Sequence, residues 1–362
     1  MKENQELTEI IVPKFFDAHA HLREKDIQNN ILWIVLKEMV KYCFGAVVMP
    51  NLSRPVCNIE DVGFYSNNIK ENLKWINSRY SSSEFQTVMT IQLTDIEKKY
   101  LCKATTPEII LKAHQGGVKA GKAYPVGATT NSARGIKNFR SQAMKMVWKT
   151  MEDLGMRALL HPEQPGVFCM DKEKKFFDTV RWLVDKYPKL KIVLEHITSA
   201  EAVNFVKQLP DTVKATITAH HLILTLDDII GGKLHPHNFC HPIPKRPKDR
   251  DALIQAAISG NPKFFFGSDR APHLKKNKEC ATGSAGVYSG PVVPSILAKI
   301  FADNYAIDKL KDFTSTFASD FYDITPSTKT IKIVKEPWRV PKMYDEIVPF
   351  LADQTLDWRL AD

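Results

Sequence analysis

The sequence predicts an α/β protein, a closed (β/α)8 TIM barrel followed by a C-terminal extension. Three observations predict it. Short apolar runs alternate with longer amphipathic segments, eight times along the chain. The runs are almost continuously apolar, as strands buried on both faces are. No clear internal repeat and no Gly/Ser-rich linker divides the 362 residues. Strands that alternate with helices build a parallel sheet, and eight such units fit closure better than an open sheet.

The expected strands are "FFDAHAH" (15–21), "GAVVMP" (45–50), "TVMTIQL" (87–93), "GVKAGKAY" (117–124), "RALLHPE" (157–163), "KIVLEHI" (191–197), "VKATITAHHL" (213–222) and "KFFFGSDR" (263–270). The helices expected between them cover 27–43, 59–80, 106–116, 138–155, 171–187, 199–208, 248–259 and 291–306. One domain, 1–362, is expected, with the barrel at about 13–307. The remainder, about 308–362, holds "FTSTFASDFYDI" and a Pro-rich, Trp-containing end, and reads as an extension packed on the barrel.

Composition narrows the function. Hydrophobic residues make up 44% of the chain, ample for a large core, and the net charge is +9. Lysine-rich pieces such as "LKKNKE" (274–279) and "PKRPKDR" (244–250) read as solvated basic surface. No basic stripe interleaved with aromatics points to nucleic acid. The N-terminus lacks an apolar signal region, and the longest apolar run, "ILWIVL" (31–36), is too short to span a bilayer. Six scattered cysteines without a C-x-x-C pair suggest a reduced, cytoplasmic protein.

The chemistry lies at the strand ends. Side chains alternate faces along a strand, so Asp17, His19 and His21 in "DAHAH" are expected to point the same way. Two imidazoles at this spacing can reach one ion in the barrel mouth. An H-x-H alone is weak evidence. Other strands, however, place Lys122, His161, His196 and Asp269 at the same end, where active sites of this fold sit. Imidazole and carboxylate donors without thiolate suit zinc. Lys122 cannot bind a cation as an ammonium. A neutral amine can add CO2 to form a carbamate that bridges two metals, or the lysine pairs with Asp269 or extends outward.

The motifs "DAHAHLR", "VVMPNL", "GKAYPVGATTNS", "LLHPE", "LEHIT", "GSDRAPH" and "SAGVY" follow one another as in the amidohydrolase superfamily. Over about residues 13–324 the chain closely resembles the dihydroorotase family of pyrimidine biosynthesis, single-function bacterial type. The resemblance implies the reversible cyclisation of N-carbamoyl-L-aspartate to L-dihydroorotate. It implies two Zn2+ ions, with cobalt and manganese as alternatives. His19, His21 and Asp269 would hold one ion, His161 and His196 the other, with carboxylated Lys122 and a hydroxide bridging them. Asp269 would also shuttle the proton. Arg23, Asn51 and His273 would grip the substrate carboxylate. Thr129 and Thr130 would sit at the tip of a loop that closes over the substrate, and Ala285 and Gly286 would contact the ring. A cytoplasmic homodimer is expected, with no nucleic-acid or membrane partner.

Some residues depart from the family pattern. His220 precedes the usual histidine, which is His221 here, and His241 replaces a small or aliphatic residue. His241 would still contact substrate through its backbone. His114, His235 and His237 match nothing and read as surface or structural. Two other readings stay open. One is a different cyclic amidohydrolase, such as a hydantoinase or allantoinase. The other is a noncatalytic scaffold, against which the complete ligand set argues.

Overall fold

The chain enters through a short strand, β1 (Glu9–Pro13), and then lays down eight parallel strands in sequence order. These are β2 (Phe15–Ala20), β3 (Cys43–Val48), β4 (Gln86–Leu93), β5 (Ala120–Ala123), β6 (Arg157–Leu160), β7 (Lys191–Leu194), β8 (Val213–Ile217) and β9 (Phe264–Phe266). The computed structural model describes residues 7–24, 30–80, 85–96 and 103–361. Between and after the strands lie α1 (Ile31–Tyr42), α2 (Ile59–Tyr80), α3 (Pro107–Gln115), α4 (Gln142–Asp153), α5 (Lys172–Lys186), α6 (Ala200–Gln208), α7 (Asp227–Ile230), α8 (Pro247–Ile258), α9 (Lys275–Lys278) and α10 (Val293–Asp303). The eight strands and the eight long helices match the expected pattern. The start of the first expected helix, 27–29, lies outside the described residues.

Local chemistry starts the helices where the sequence suggests. The side chains of Thr106, Ser141 and Ser199 accept hydrogen bonds from the free backbone N–H groups of Ile109, Met144 and Ala202. Pro107 and Pro247 occupy first-turn positions, where a missing N–H costs nothing.

The ring closes beyond the ends of its first and last strands. A parallel bridge joins Ala20 to Arg270. The Asp269 N–H donates to the His19 carbonyl at 2.9 Å. Phe16, Val47, Val88, Ala120, Leu159, Val193 and Phe265, one from each of seven strands, fill the interior. The extension seals this layer from below. After α11 (Ile307–Lys311) and a π-turn at Asp312–Thr316 comes α12 (Phe317–Tyr322). Its Phe321 and Tyr322 rings pack on Phe265, with centroids 5.9 and 6.4 Å away. Each aromatic buried this way contributes about 1.5–3 kcal/mol. Arg157 holds the helix end by donating from Nη2 to the Phe321 carbonyl at 2.7 Å.

Five expectations need correction. The strands stop earlier than the apolar runs suggest. His161 follows β6 directly, and His196 and Asp269 lie past β7 and β9. His196 and Asp269 take left-handed backbone angles, φ 44° and 43°, which a strand ladder cannot accommodate. The N-terminal segment, absent from the expected strands, forms one. β1 pairs antiparallel with β10 (Thr330–Val334) of the extension, while β11 (Trp338–Arg339) pairs with β12 (Thr355–Leu356) and β13 (Arg359–Leu360) adds to β10. Two lysines of the basic runs, Lys245 and Lys278, turn inward and are buried. Cys57 is disulfide-bonded, whereas Cys43, Cys169, Cys240 and Cys280 are free thiols, so the cysteines are not uniformly reduced.

Asp17 is the fifth correction. On β2 it pairs with Ala46 and Ala20 pairs with Val48, so three steps along β2 match two along β3. This bulge reverses the alternation of faces. Phe16 and Ala18 face the barrel interior, while Phe15 and Ala20 join the outer layer under the helices. His19 and His21 therefore point into the mouth, and Asp17 points outward. There it accepts hydrogen bonds from Ser268 Oγ at 2.6 Å and Arg270 Nη2 at 2.9 Å, and Arg270 also donates to the Tyr42 hydroxyl at 2.7 Å. All of these side chains are buried. Among the described residues no helix is long and apolar enough to cross a membrane.

Candidate active site

The bulge in β2 brings His19 Nε2 and His21 Nε2 to 3.3 Å from each other. Asp269 Oδ1 lies 3.3 Å from the first and 3.0 Å from the second. The Gly267 position allows this approach, because a Cβ there would press on His19 Cβ at 3.0 Å. The His196 ring lies tilted beside His19 with centroids 5.0 Å apart, and the His161 ring meets it edge-on at 4.8 Å. Lys122 is fully buried near this group. It does not pair with Asp269 or extend outward: its Nζ rests against Glu195 Oε2 and 4.9 Å from the centre of the Tyr124 ring.

The donor set fits cations. Burial lowers the pKa of His19, His161 and His196, and lowers that of His21 to about 3. All four imidazoles are therefore neutral near pH 7 and offer lone pairs. For Asp269, burial pushes the pKa up, but hydrogen bonds to His19 and His21 outweigh it, and the carboxylate stays ionised. Burial drives the Lys122 amine well below its usual pKa, against the pull of Asp269, so a neutral nucleophilic nitrogen is favoured. One buried polar atom here, His196 Nδ1, lacks a hydrogen-bond partner among the described residues. Such a group is expensive to bury unless a further ligand satisfies it. His19, His21 and Asp269 form one potential cation cluster, and His19, Glu195 and His196 another.

Two carboxylates here were not singled out from the sequence. Glu195 Oε1 lies 3.1 Å from His19 Nδ1, and Glu163 Oε2 lies 2.9 Å from His161 Nε2. The signal was present. Val193 and Leu159 face the interior, and period two puts Glu195, His161 and Glu163 on that same side. Glu163 Oε2 also lies 3.7 Å from His241 Nδ1.

Above the cluster lies a small polar recess. Arg23, Asn51, Thr129, Thr130, His241, Ala285 and Gly286 line it together with His19, His21, His161, His196 and Asp269. Arg23, with φ 66°, turns back across the mouth, and its Nε donates to the Pro272 carbonyl at 3.2 Å. Its Nη2 lies 3.1 Å from His273 Nε2. Arg23 is buried, and among the described residues no carboxylate pairs with it. The 129–131 loop lies over the recess. Thr130 Oγ1 donates to the Ala285 carbonyl at 3.3 Å, and Asn51 and Asn131 exchange amide hydrogen bonds with the Thr130 and Asn51 carbonyls. Gly286, with φ 149°, has no room for a side chain, because a Cβ would meet the Ala271 carbonyl oxygen at 2.7 Å.

The other histidines lie outside. His220 is fully buried beside His221 with neither ring nitrogen bonded. His221 spans Thr218 Oγ1 at 2.8 Å and the Pro242 carbonyl at 3.0 Å, and so braces the segment that carries His241. His114 and His235 are exposed, and His237 pairs with Glu279 at 2.9 Å.

Comparison with known proteins agrees with this geometry. The Amidohydrolase family model matches residues 10–307. The chain is 39% identical over 351 residues to the dihydroorotase of Teredinibacter turnerae, covering 95% of this chain and 96% of that one. It is 38% identical to the mitochondrial dihydroorotase of Arabidopsis thaliana, covering 97% and 90%. Among solved structures, Campylobacter jejuni dihydroorotase superposes with a TM-score of 0.87 at 34% identity over 100% of both chains. The Saccharomyces cerevisiae enzyme in complex with 5-fluoroorotic acid gives 0.85 at 32% identity over 98% and 99%. Hydantoinases, at 12–13% identity, share the fold alone. The chain belongs to the amidohydrolase family and, within it, to the dihydroorotases.

Proposed function

We propose that the chain catalyses the reversible conversion of N-carbamoyl-L-aspartate to L-dihydroorotate in pyrimidine biosynthesis. One observation carries the reading. A buried guanidinium with no carboxylate partner among the described residues, Arg23, faces the same small recess as four neutral imidazoles and an ionised aspartate. A substrate with a carboxylate next to a cyclic amide satisfies both halves.

In this reading His19, His21 and Asp269 would hold one zinc ion, His161 and His196 would hold a second, and Lys122, carboxylated by CO2, would supply further oxygen donors. When bound, these ions supply Lewis acidity toward the amide carbonyl and lower the pKa of water. The chain's own groups do the rest. Arg23, Asn51 and His273 hold the substrate carboxylate, Arg23 through paired charge-assisted hydrogen bonds. The Asn51 Oδ1 atom, buried and without a partner, is free to accept from a substrate N–H. In hydrolysis, a water oxygen bonds to the ring carbonyl carbon and the carbon–nitrogen bond breaks. Asp269 takes the water proton and gives it to the departing nitrogen. Ring closure reverses these steps. Thr129 and Thr130 close over the substrate and exclude bulk water. Ala285 and Gly286 contact the ring, and His241 contacts it through its backbone.

The test is an ultraviolet assay of dihydroorotate hydrolysis on protein whose metal content has been measured. Turnover that scales with zinc supports the reading. Zinc-loaded protein that leaves dihydroorotate intact overturns it. A homodimer and a cytoplasmic location complete the proposal, checked by light scattering and by cell fractionation.

A further inference from the structure

Lys278 belongs to a run of surface-like lysines, yet it points inward. Its neighbours on α9, Lys275 and Lys276, are exposed, and so is Glu279 after it, whereas Lys278 is 4% exposed. Its Nζ donates to the Gly286 carbonyl at 2.6 Å and to the Phe239 carbonyl at 2.9 Å. The Gly286 N–H donates to the same Phe239 carbonyl at 2.9 Å. Three hydrogen bonds thus join two segments remote in sequence. One runs into His241 and the other is the Ala285–Gly286 turn, and both line the recess. The Ala285 carbonyl also receives Thr130 Oγ1 and lies 3.0 Å from His273 Nε2. The turn held by Lys278 is therefore where the closing loop and the carboxylate grip meet.

We propose that Lys278 is a positioning residue: its ammonium clamps the Phe239–His241 segment to the Ala285–Gly286 turn and so sets the shape of the recess that receives the substrate ring. The proposal rests on the dihydroorotase reading above. Among the described residues no carboxylate pairs with Lys278, so backbone carbonyls alone hold a buried charge. The titratable groups that face it are Cys240, His220 and His273. Burial keeps the Cys240 thiol protonated and the two imidazoles neutral, so none of them supplies a counter-charge. Burial lowers Lys278 itself to about 8. Above that pH the clamp loses its charge and weakens, because charge-assisted hydrogen bonds are the stronger kind.

Lys278→Met removes both bonds, and Lys278→Arg keeps a fixed charge at every working pH. In Lys278→Met, KM for dihydroorotate rises about tenfold or more while kcat stays within about threefold. Lys278→Arg recovers much of the loss. Wild-type KM rises as pH passes about 8, and Lys278→Arg lacks that rise. Hydrogen exchange at the Gly286 amide is faster in Lys278→Met. Unchanged KM in Lys278→Met, or the same alkaline rise in Lys278→Arg, overturns the proposal. If Lys278→Met does not fold, the pH profiles of the wild type and Lys278→Arg decide. Wild-type protein without turnover sinks the dihydroorotase reading instead, while Gly286 exchange still tests the clamp.

Discussion

Glu195 Oε1 lies 3.1 Å from His19 Nδ1, on the side of the imidazole opposite the Nε2 that faces His21 and Asp269. A carboxylate in this position orients the ring and makes its other nitrogen a better donor to a cation. Glu195→Gln is therefore expected to fold but to hold metal about 10–100-fold less tightly, as such supporting groups commonly do. Competition against a chelator checks it. Wild-type metal affinity in this variant would remove Glu195 from the site.

Lys122 is fully buried, with its Nζ against Glu195 and 4.9 Å from the centre of the Tyr124 ring. Lys122→Ala is expected to lose metal and activity together, with partial recovery in acetate or propionate, whose carboxylates can occupy the bridging position. Elemental analysis and the hydrolysis assay check this. Full metal content in unsupplemented variant protein would refute the bridging role.

Arg23 faces the recess but no metal-ligand nitrogen. Arg23→Met is expected to raise KM by about 10²-fold through loss of paired charge-assisted hydrogen bonds, and to leave metal content intact. Steady-state kinetics with dihydroorotate give the answer, and an unchanged KM places the carboxylate elsewhere.

Asp269→Asn keeps the shape of the side chain but cannot carry the proton. A loss of about 10²–10⁴ in kcat is expected, with the far-ultraviolet circular dichroism unchanged. Metal content measured alongside separates lost proton transfer from lost coordination. Substantial activity at neutral pH would rule out the shuttle.

Asp17 and Arg270 form a buried pair at 2.9 Å behind the site. Arg270→Met leaves a carboxylate buried without its partner and is expected to cost about 3–5 kcal/mol in urea unfolding. Asp17→Leu with Arg270→Met should recover part of that loss, since no lone charge remains. A single variant as stable as the wild type would mean that the pair contributes nothing to barrel closure.

Much of this protein was legible in the sequence because the signals are local. Alternating apolar runs and amphipathic segments determined eight strands and eight helices, and the polar residues at the strand ends, Lys122, His161, His196 and Asp269, marked one rim of the barrel. Residue type then indicated cation binding, since His19, His21, His161, His196 and Asp269 share donor chemistry and recur at one end of the barrel.

What only the tertiary structure decided involves partners distant along the chain. The outward turn of Asp17 depends on a bulge measured against β3, and a bulge is a relation between two strands that neither strand's sequence states. The pairing of β1 with β10 joins the two ends of the chain. Lys278 looks like its exposed neighbours until Phe239 and Gly286 arrive to take its hydrogens. Burial is set by everything that packs around a residue, so the charge state of Lys122 and the inward face of Lys278 emerge only once the whole barrel has closed.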